Sequence, residues 1–274
     1  MPLTQLNFQP GIDTENTPTG AEGRWIDCDK VRFRKGLPQK IGGWTKFSEA
    51  YYVGVGRSLE QWFALNGSRY EALGTDRKVY AYVAGTSQDI TPIRSTDALV
   101  NAISTTTSSN IITITDTDHG AIQGDFVTLS SVSTAVAGIP AATLDAEYQI
   151  LSIANSDAYT IQSSATANAN TGPTANCTIN YQLNIGPSIQ TFGFGWGAGN
   201  WSAGTWNTPR TTTTITLDAR LWSINNWGED LIITQKDGGT YEWDTSAGMT
   251  DNRATVVANA PTTSTLSLVS TETR

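Results

Sequence analysis

Two stretches of the chain, 60–82 (EQWFALNGSRYEALGTDRKVYAY) and 220–243 (RLWSINNWGEDLIITQKDGGTYEW), follow one plan. Laid side by side, Trp62 falls on Trp222, Asn66 on Asn226, and Glu71-Ala72-Leu73 on Leu231-Ile232-Ile233. After a one-residue insertion, Tyr80 and Tyr82 fall on Tyr241 and Trp243. Within each copy apolar and polar residues alternate between turn signals, which is the period of a half-buried antiparallel strand. The turns are Asn66-Gly67 and Thr75-Asp76-Arg77 in the first copy, Asn226-Trp227-Gly228 and Lys236-Asp237-Gly238-Gly239 in the second. Asn-Gly and Asp-Gly supply the positive φ that a tight hairpin needs. Each copy therefore reads as a three-strand meander. A meander of this size cannot cover its own apolar face, so units of roughly 40–50 residues stack beside siblings as propeller blades or solenoid turns. Two copies imply more than two.

Composition agrees with an all-β chain. Of 274 residues only 15% are charged, while Gly numbers 25 and Trp 9. No window of a dozen residues combines apolar spacing at three and four with a plausible cap, so helices are expected to be few and short. The formal charge is −8, and only the segment Lys30 to Lys46 is basic. That balance argues against a surface that grips a duplex and is compatible with one past which DNA slides, since like charge prevents sticking. Cys28 and Cys177 are far apart and belong to no metal-spaced cluster, so free thiols in a reducing compartment are expected. The N-terminus shows no signal-peptide pattern, and no stretch approaches membrane-spanning length.

Taken in order, residues 1–50 are broken by Pro2, Pro10, Pro18, Gly11, Gly20 and Gly23 into extended pieces, an arm that lies on something else. Within it a strand from Trp25 to Phe33 precedes the turn Lys35-Gly36-Leu37-Pro38. Residues 51–95 hold the first propeller-like blade and end in a short edge-like strand, Gln88 to Ile93. In residues 96–184 Trp disappears and Ala, Thr, Ser and Asn dominate. Five strands are expected there: Ile111–Thr115, Asp125–Leu129, Glu147–Ile153, Ala158–Gln162 and Cys177–Tyr181. They amount to a small β-sandwich or barrel inserted into a surface loop between the related meanders. Residues 185–274 contain a Gly/Trp run, the second blade and the start of a third. The run, FGFGWGAGNWSAGTWNTPR, has rigid aromatic anchors that suit packing against a neighbouring chain or folding over the chain's own meanders. The chain stops within what reads as a further repeat, as a fragment of a longer protein would.

For chemistry the sequence offers little. Asp116, Asp118 and Gly120 in DTDHG resemble the start of a calcium loop, but the twelfth position is Val127 where a bidentate Glu is needed, so a hairpin turn is expected. His119 has no nearby nucleophile with an orienting acid and reads as a solvated turn residue. Gly193-x-Gly195-x-x-Ala198 matches the dinucleotide fingerprint only formally, because no helix pattern follows it. Asp13, Glu15, Asp27 and Asp29 would serve a glycosidase only if folding set two of them about 5–10 Å apart. No cofactor, metal ligand set or catalytic residue is expected.

The segment from Pro10-Gly11 through Thr17-Pro18, Trp25-Ile26-Asp27-Cys28-Asp29-Lys30-Val31-Arg32-Phe33 and Gly36-Leu37-Pro38-Gln39-Lys40-Ile41-Gly42-Gly43-Trp44 resembles the N-terminal arm of tail nozzle, or tail hub, proteins of short-tailed bacteriophages. The run Phe192 to Arg210 is similar to such proteins as well. The resemblance covers roughly 130 residues and leaves out the inserted domain. It implies a non-enzymatic, β-propeller-containing virion subunit that forms a ring, typically a hexamer, below the portal and adaptor. Such a ring encloses the channel through which genomic DNA leaves without specific binding, and tail fibres are further potential neighbours. In that setting Trp25, Arg32, Arg34, Trp44, Trp196, Trp201 and Trp206 are candidate subunit contacts, and the basic arm would dock on an acidic neighbour. The rival reading is a tail module that recognises a receptor or host surface glycan, its exposed Trp and Tyr stacking on sugar faces. An envelope-degrading glycosidase is a third.

Overall fold

A computed structural model describes residues 9–43, 45–190 and 218–270. The chain is all-β and divides into two compact units, Met1–Glu49 and Ala50–Arg274.

In the first unit β1 (Val31–Arg34) and β2 (Leu37–Lys40) form a hairpin, Val31 opposite Lys40. The turn is Lys35-Gly36 alone, with φ of 51° and 81°, the pair of positive angles that a two-residue type I′ connection requires. Leu37 and Pro38, expected in the turn, thus belong to β2, because two such residues already reverse the chain. Upstream, Ile12 bridges Trp25, and the Asp13 carboxylate accepts from the backbone and side-chain amides of Asn16 and from Arg24. Among the described residues of this unit Ala21 alone is buried, as in an arm without a core of its own.

The second unit opens with a four-stranded meander, β3 (Gly56–Phe63), β4 (Arg69–Thr75), β5 (Val79–Val83) and β6 (Thr86–Asp89). Next come β7 (Ile93–Leu99), β8 (Ile103–Thr105), β9 (Ile111–Thr115), β10 (Phe126–Ser130), the one-turn helix α1 (Ala141–Leu144), β11 (Glu147–Asn155), β12 (Ala158–Gln162), β13 (Thr171–Thr174) and β14 (Cys177–Gln182). A second four-stranded meander follows: β15 (Trp222–Trp227), β16 (Asp230–Gln235), β17 (Thr240–Trp243) and β18 (Thr255–Val256). Each repeat therefore carries a fourth strand: the edge-like strand expected at Gln88 to Ile93 lies earlier, as β6, with Ile93 already opening β7, and the strand expected to start a third blade pairs with β17 as β18.

Strands β7 to β14 form one open antiparallel sheet in the order β13-β8-β9-β12-β11-β10-β14-β7, and no barrel closes among the described residues. Its buried side chains, among them Ile103, Ile112, Ile114, Leu129, Ile150, Tyr159, Ile161, Ile179 and Tyr181, make a single cluster. β7 and β14 pair along their length, with Ile93 opposite Gln182. The chain thus enters and leaves this sheet side by side, next to the end of the first meander. The five strands anticipated here are β9 to β12 and β14. β7, β8 and β13 lack the Ile/Val alternation that marks the others.

The two meanders share the other large core, with Trp62, Ala72, Val79, Ala81 and Ile90 on one side and Trp222, Ile224, Leu231, Ile233, Tyr241 and Trp243 on the other. Cross-strand register shows how they correspond. Trp62 lies opposite Tyr70, beside the first hairpin turn, whereas Trp222 lies opposite Gln235, at the far end of its hairpin. The residue beside the second turn, opposite Asp230, is Trp227. Trp62 and Trp222 are thus not equivalent positions; Trp62 and Trp227 are. The link from Trp62 to Tyr70 is eight residues and that from Trp227 to Asp230 is three, and a gap-free alignment hides this difference in loop length.

Counting instead from the second turn of each meander, where Thr75 pairs Lys78 and Gln235 pairs Gly239, Ala72 corresponds to Ile232 and Leu73 to Ile233. The first meander therefore turns its Ala72, Val79 and Ala81 face to the interface, while the second turns the opposite face, the one bearing Ile233, Tyr241 and Trp243. The front of one sheet covers the back of the next. Gly74 makes this close approach possible, since a Cβ there would lie 2.7 Å from Cδ1 and 2.9 Å from Cγ of Trp222. Gly74→Ala is expected to destabilise the unit by about 1–3 kcal/mol in urea denaturation, as overpacking against a rigid ring does. In a Trp222→Leu background the same change should cost measurably less, and an equal cost in both backgrounds would contradict the contact.

Candidate functional site

The interface between the meanders is built around indole groups. Trp62, 3% exposed, stacks on Tyr70 with ring centroids 5.3 Å apart and meets Trp243 edge-on at 6.4 Å. Its Nε1 donates to the Glu229 carbonyl of the second meander at 2.9 Å, and the Glu229 carboxylate accepts from the Leu65 backbone of the first. In the other direction Trp222 Nε1 donates to the Thr75 carbonyl at 2.6 Å. Each indole thus buries its ring and still finds an acceptor across the boundary, which an apolar side chain could not do.

A second cluster joins both meanders to the inserted sheet. Lys78, 3% exposed, reaches from the start of β5 to Asp89 Oδ2 at 2.8 Å and to Glu147 Oε1 at the start of β11, with its ammonium 4.2 Å from the Phe126 ring centroid. Arg253, just before β18, pairs with the same two carboxylates at 3.3 and 3.5 Å and donates to the Thr91 carbonyl. Gln182 donates to Glu147 Oε2, and the Thr91 backbone to Asp89 Oδ1. All four carboxylate oxygens are engaged. Two cations and two anions cancel, and each of the four oxygens already holds a hydrogen bond or an ion pair, so the cluster works as a clasp between the sheets.

Burial alone would raise the Asp89 carboxyl, but the Lys78 and Arg253 charges, with hydrogen bonds from Lys78 and Thr91, hold it below its ordinary value of 3.8. Elsewhere burial dominates. It pushes Tyr80 up to about 12 and the Cys177 thiol up to about 11, so neither is a nucleophile at neutral pH. It also raises Asp125, which accepts from the backbones of Ile122 and Ile185 and from Asn184, tying the inserted sheet to the segment that leaves it.

The DTDHG segment is a turn, as expected, but His119 is not solvated. It is 5% exposed. Its Nδ1 accepts from the Ala121 backbone, so Nε2 carries the proton it donates to the Asn155 carbonyl. Asp116 accepts from the buried Tyr181 hydroxyl at 2.6 Å, which in turn meets the Tyr159 hydroxyl. These partners come from distant strands, which is why the local sequence did not reveal the burial. Among the described residues no group of three or more His, Cys, Asp or Glu is placed to hold a metal ion.

Of the candidate contact residues, Trp25 is half-buried, 6.5 Å from the Phe33 ring. Arg32 and Arg34 project from β1 into solvent, Arg32 bonding Gln39 across the hairpin. Trp44, Trp196, Trp201 and Trp206 lie outside the described residues, as does the Gly193-x-Gly195-x-x-Ala198 match. The sequence reading missed the exposed apolar side chains of the first meander, Leu59 at 70% and Phe63 at 60%, and Trp227 at 57% on the second. Of the three, only Phe63 stands between buried neighbours, Trp62 and Ala64, so alternation could have marked it alone.

No family model and no curated protein matches the chain. Among solved structures, the phage phi92 endosialidase aligns with 80% of this chain and 32% of its own, at 12% identity and a TM-score of 0.28. The chain thus spans about a third of that protein's length, and the likeness is too slight to carry fold or activity across.

The clasp makes a pH prediction. Because the folded-state value of Asp89 is depressed, its contribution is complete above 3.8 and is lost as pH falls through the lower folded value. Asp125 titrates in the opposite sense, so the difference between two proteins is the proper measure. Asp89→Asn should cost about 3 kcal/mol at pH 7, and the gap to the unsubstituted chain should shrink below pH about 4. A gap independent of pH would contradict the clasp.

Proposed function

We propose that this chain is a non-enzymatic structural component of a bacteriophage tail, a subunit of a ring around the channel through which the genome leaves. The observation that carries the reading is the stacking of repeated four-stranded meanders, front on back through an aromatic interface. That is how propeller blades build a rigid wall. The resemblance of the Pro10 to Trp44 segment to tail nozzle arms supports it, and the fully engaged ionic clasp gives the polar groups an anchoring role. A net charge of −8 suits a lumen that must not hold a passing duplex. The portal-side adaptor and tail fibres are the protein neighbours this reading implies, and the exposed arm hairpin with Arg32 and Arg34 is the segment that docks on an acidic one.

Electron microscopy of the native particle tests the proposal. The expected result is a ring of this subunit coaxial with a DNA channel. Outward-projecting trimers, combined with quenching of Trp fluorescence by host surface polysaccharide, would replace it with the receptor-recognition reading, which the exposed Phe63 and Trp227 rings would serve.

A further inference from the structure

The eight-stranded sheet turns one face to its core. Ile112, Ile150 and Ile161 point into that core, so their strand neighbours Ile111, Gln149, Leu151 and Gln162 point the other way, and all four are exposed. One residue on from the Ile150–Ile161 pair, Gln149 of β11 stands beside Gln162 of β12, and Gln162 is in turn the cross-strand partner of Ile111 on β9. On the β10 side the outward face closes, because Phe126, the partner of Gln149, is buried with the Lys78 ammonium over its ring. The loop before β10 raises a wall here. The Gly124 backbone donates to the Ile150 carbonyl at 2.9 Å and that of Ile150 to the Asp125 carbonyl at 2.8 Å, so residues 124–125 flank β11 ahead of β10 itself. At this wall lies an open groove of about 430 Å³, whose lining includes Gln123, Glu147, Gln149, Leu151 and Gln162.

The lining defines what the groove can hold. Gln123 Nε2 donates to the Leu151 carbonyl and Gln149 Nε2 to the Gly124 carbonyl, which fixes both amides and leaves each its oxygen and its second N–H for a ligand. Gln162, exposed across the strand pair, adds a third amide. Glu147, the charged residue of the lining, is paired with Lys78 and Arg253. Leu151 and Ile111, 43% and 42% exposed, set aliphatic surface beside the amides. An amide donates and accepts side by side, as two neighbouring hydroxyls do, and aliphatic side chains suit the C–H face of a sugar ring. A polyanion meets no free cation in this lining, and a net charge of −8 repels it. An extended peptide would add to a free backbone edge, but β11 and β12 are interior strands with a neighbour on each side.

We infer that this groove binds an uncharged, polyhydroxylated polymer, a neutral glycan chain, through the amides of Gln123, Gln149 and Gln162 and apolar contact with Leu151. Being open to solvent, it takes an internal stretch of a chain and not an enclosed single sugar. The site goes beyond the ring reading and does not depend on it: the inserted sheet gains a task of its own, set apart from the clasp that fastens it.

Side-chain amide resonances of the isotope-labelled full chain read the groove directly. The probes are neutral oligosaccharides of glucose, galactose, mannose, rhamnose and N-acetylglucosamine, with oligogalacturonate as the acidic control. At least one neutral probe is expected to shift the Gln123, Gln149 and Gln162 amides in a saturable titration while the acidic control leaves them in place. Gln162→Ala and Leu151→Asp, both at exposed positions, should keep the melting temperature of the parent and weaken that binding about fivefold or more. The inference falls if no neutral probe moves these amides, if the shifts map to another surface, if oligogalacturonate shifts them equally, or if both variants bind as the parent does. It falls equally if an Asn/Thr-rich hexapeptide moves the amides where no glycan does. A subunit that forms the ring but ignores every neutral probe removes the groove and leaves the tail reading standing. Glycan binding by a chain that forms no ring in the native particle does the reverse.

Discussion

The structure of the second unit depends on two indole N–H groups pointing in opposite directions across one boundary. Trp62 donates from the first meander into the second and Trp222 from the second into the first. An antiparallel meander has two faces and can bury only one against its own loops, so each needs a neighbour. Tryptophan suits the contact because it removes a large apolar area from water without stranding its polar atom. The space comes from Gly74, where any side chain would meet the Trp222 ring. Aromatic bulk on one sheet and its absence on the other are two halves of one fit.

The inserted sheet is fastened to this pair at a single charged node. Lys78 and Asp89 come from the first meander, Glu147 from β11 and Gln182 from the last strand of the insert, and Arg253 from the end of the second meander. Lys78 and Asp89 are the more buried charges of the node, and taking them out of water is costly unless each is paired, as both are here. Such a node adds modest stability, but it specifies which elements meet, because any other arrangement leaves a buried charge unpaired.

Much of this was legible in the sequence, and the limits are physical. β9 and β12 could be bounded to the residue because Ile alternates with Thr or polar residues at period two on a half-buried strand. The repeat itself was visible from its paired aromatics. Its register was not, since the longer first loop of one copy lets Trp62 align with Trp222 while the backbone sets it beside Trp227. The burial of His119 was hidden because its acceptor, the Asn155 carbonyl, is brought in by a different strand. The clasp was hidden for the same reason: Lys78 and Glu147 each look like a solvated surface charge until the sheets meet.

The front-on-back stacking of the two meanders is the claim on which the rest depends. A cysteine pair tests it most directly, because a Cβ at position 74 would lie 3.1 Å from the Trp222 Cβ, within reach of a disulfide. A chain carrying Gly74→Cys and Trp222→Cys is expected to form, on mild oxidation, a bond between positions 74 and 222 of one molecule, identified by mass spectrometry. Free thiols at both positions in the folded chain, or bonding of either to Cys177 instead, would contradict the stacking.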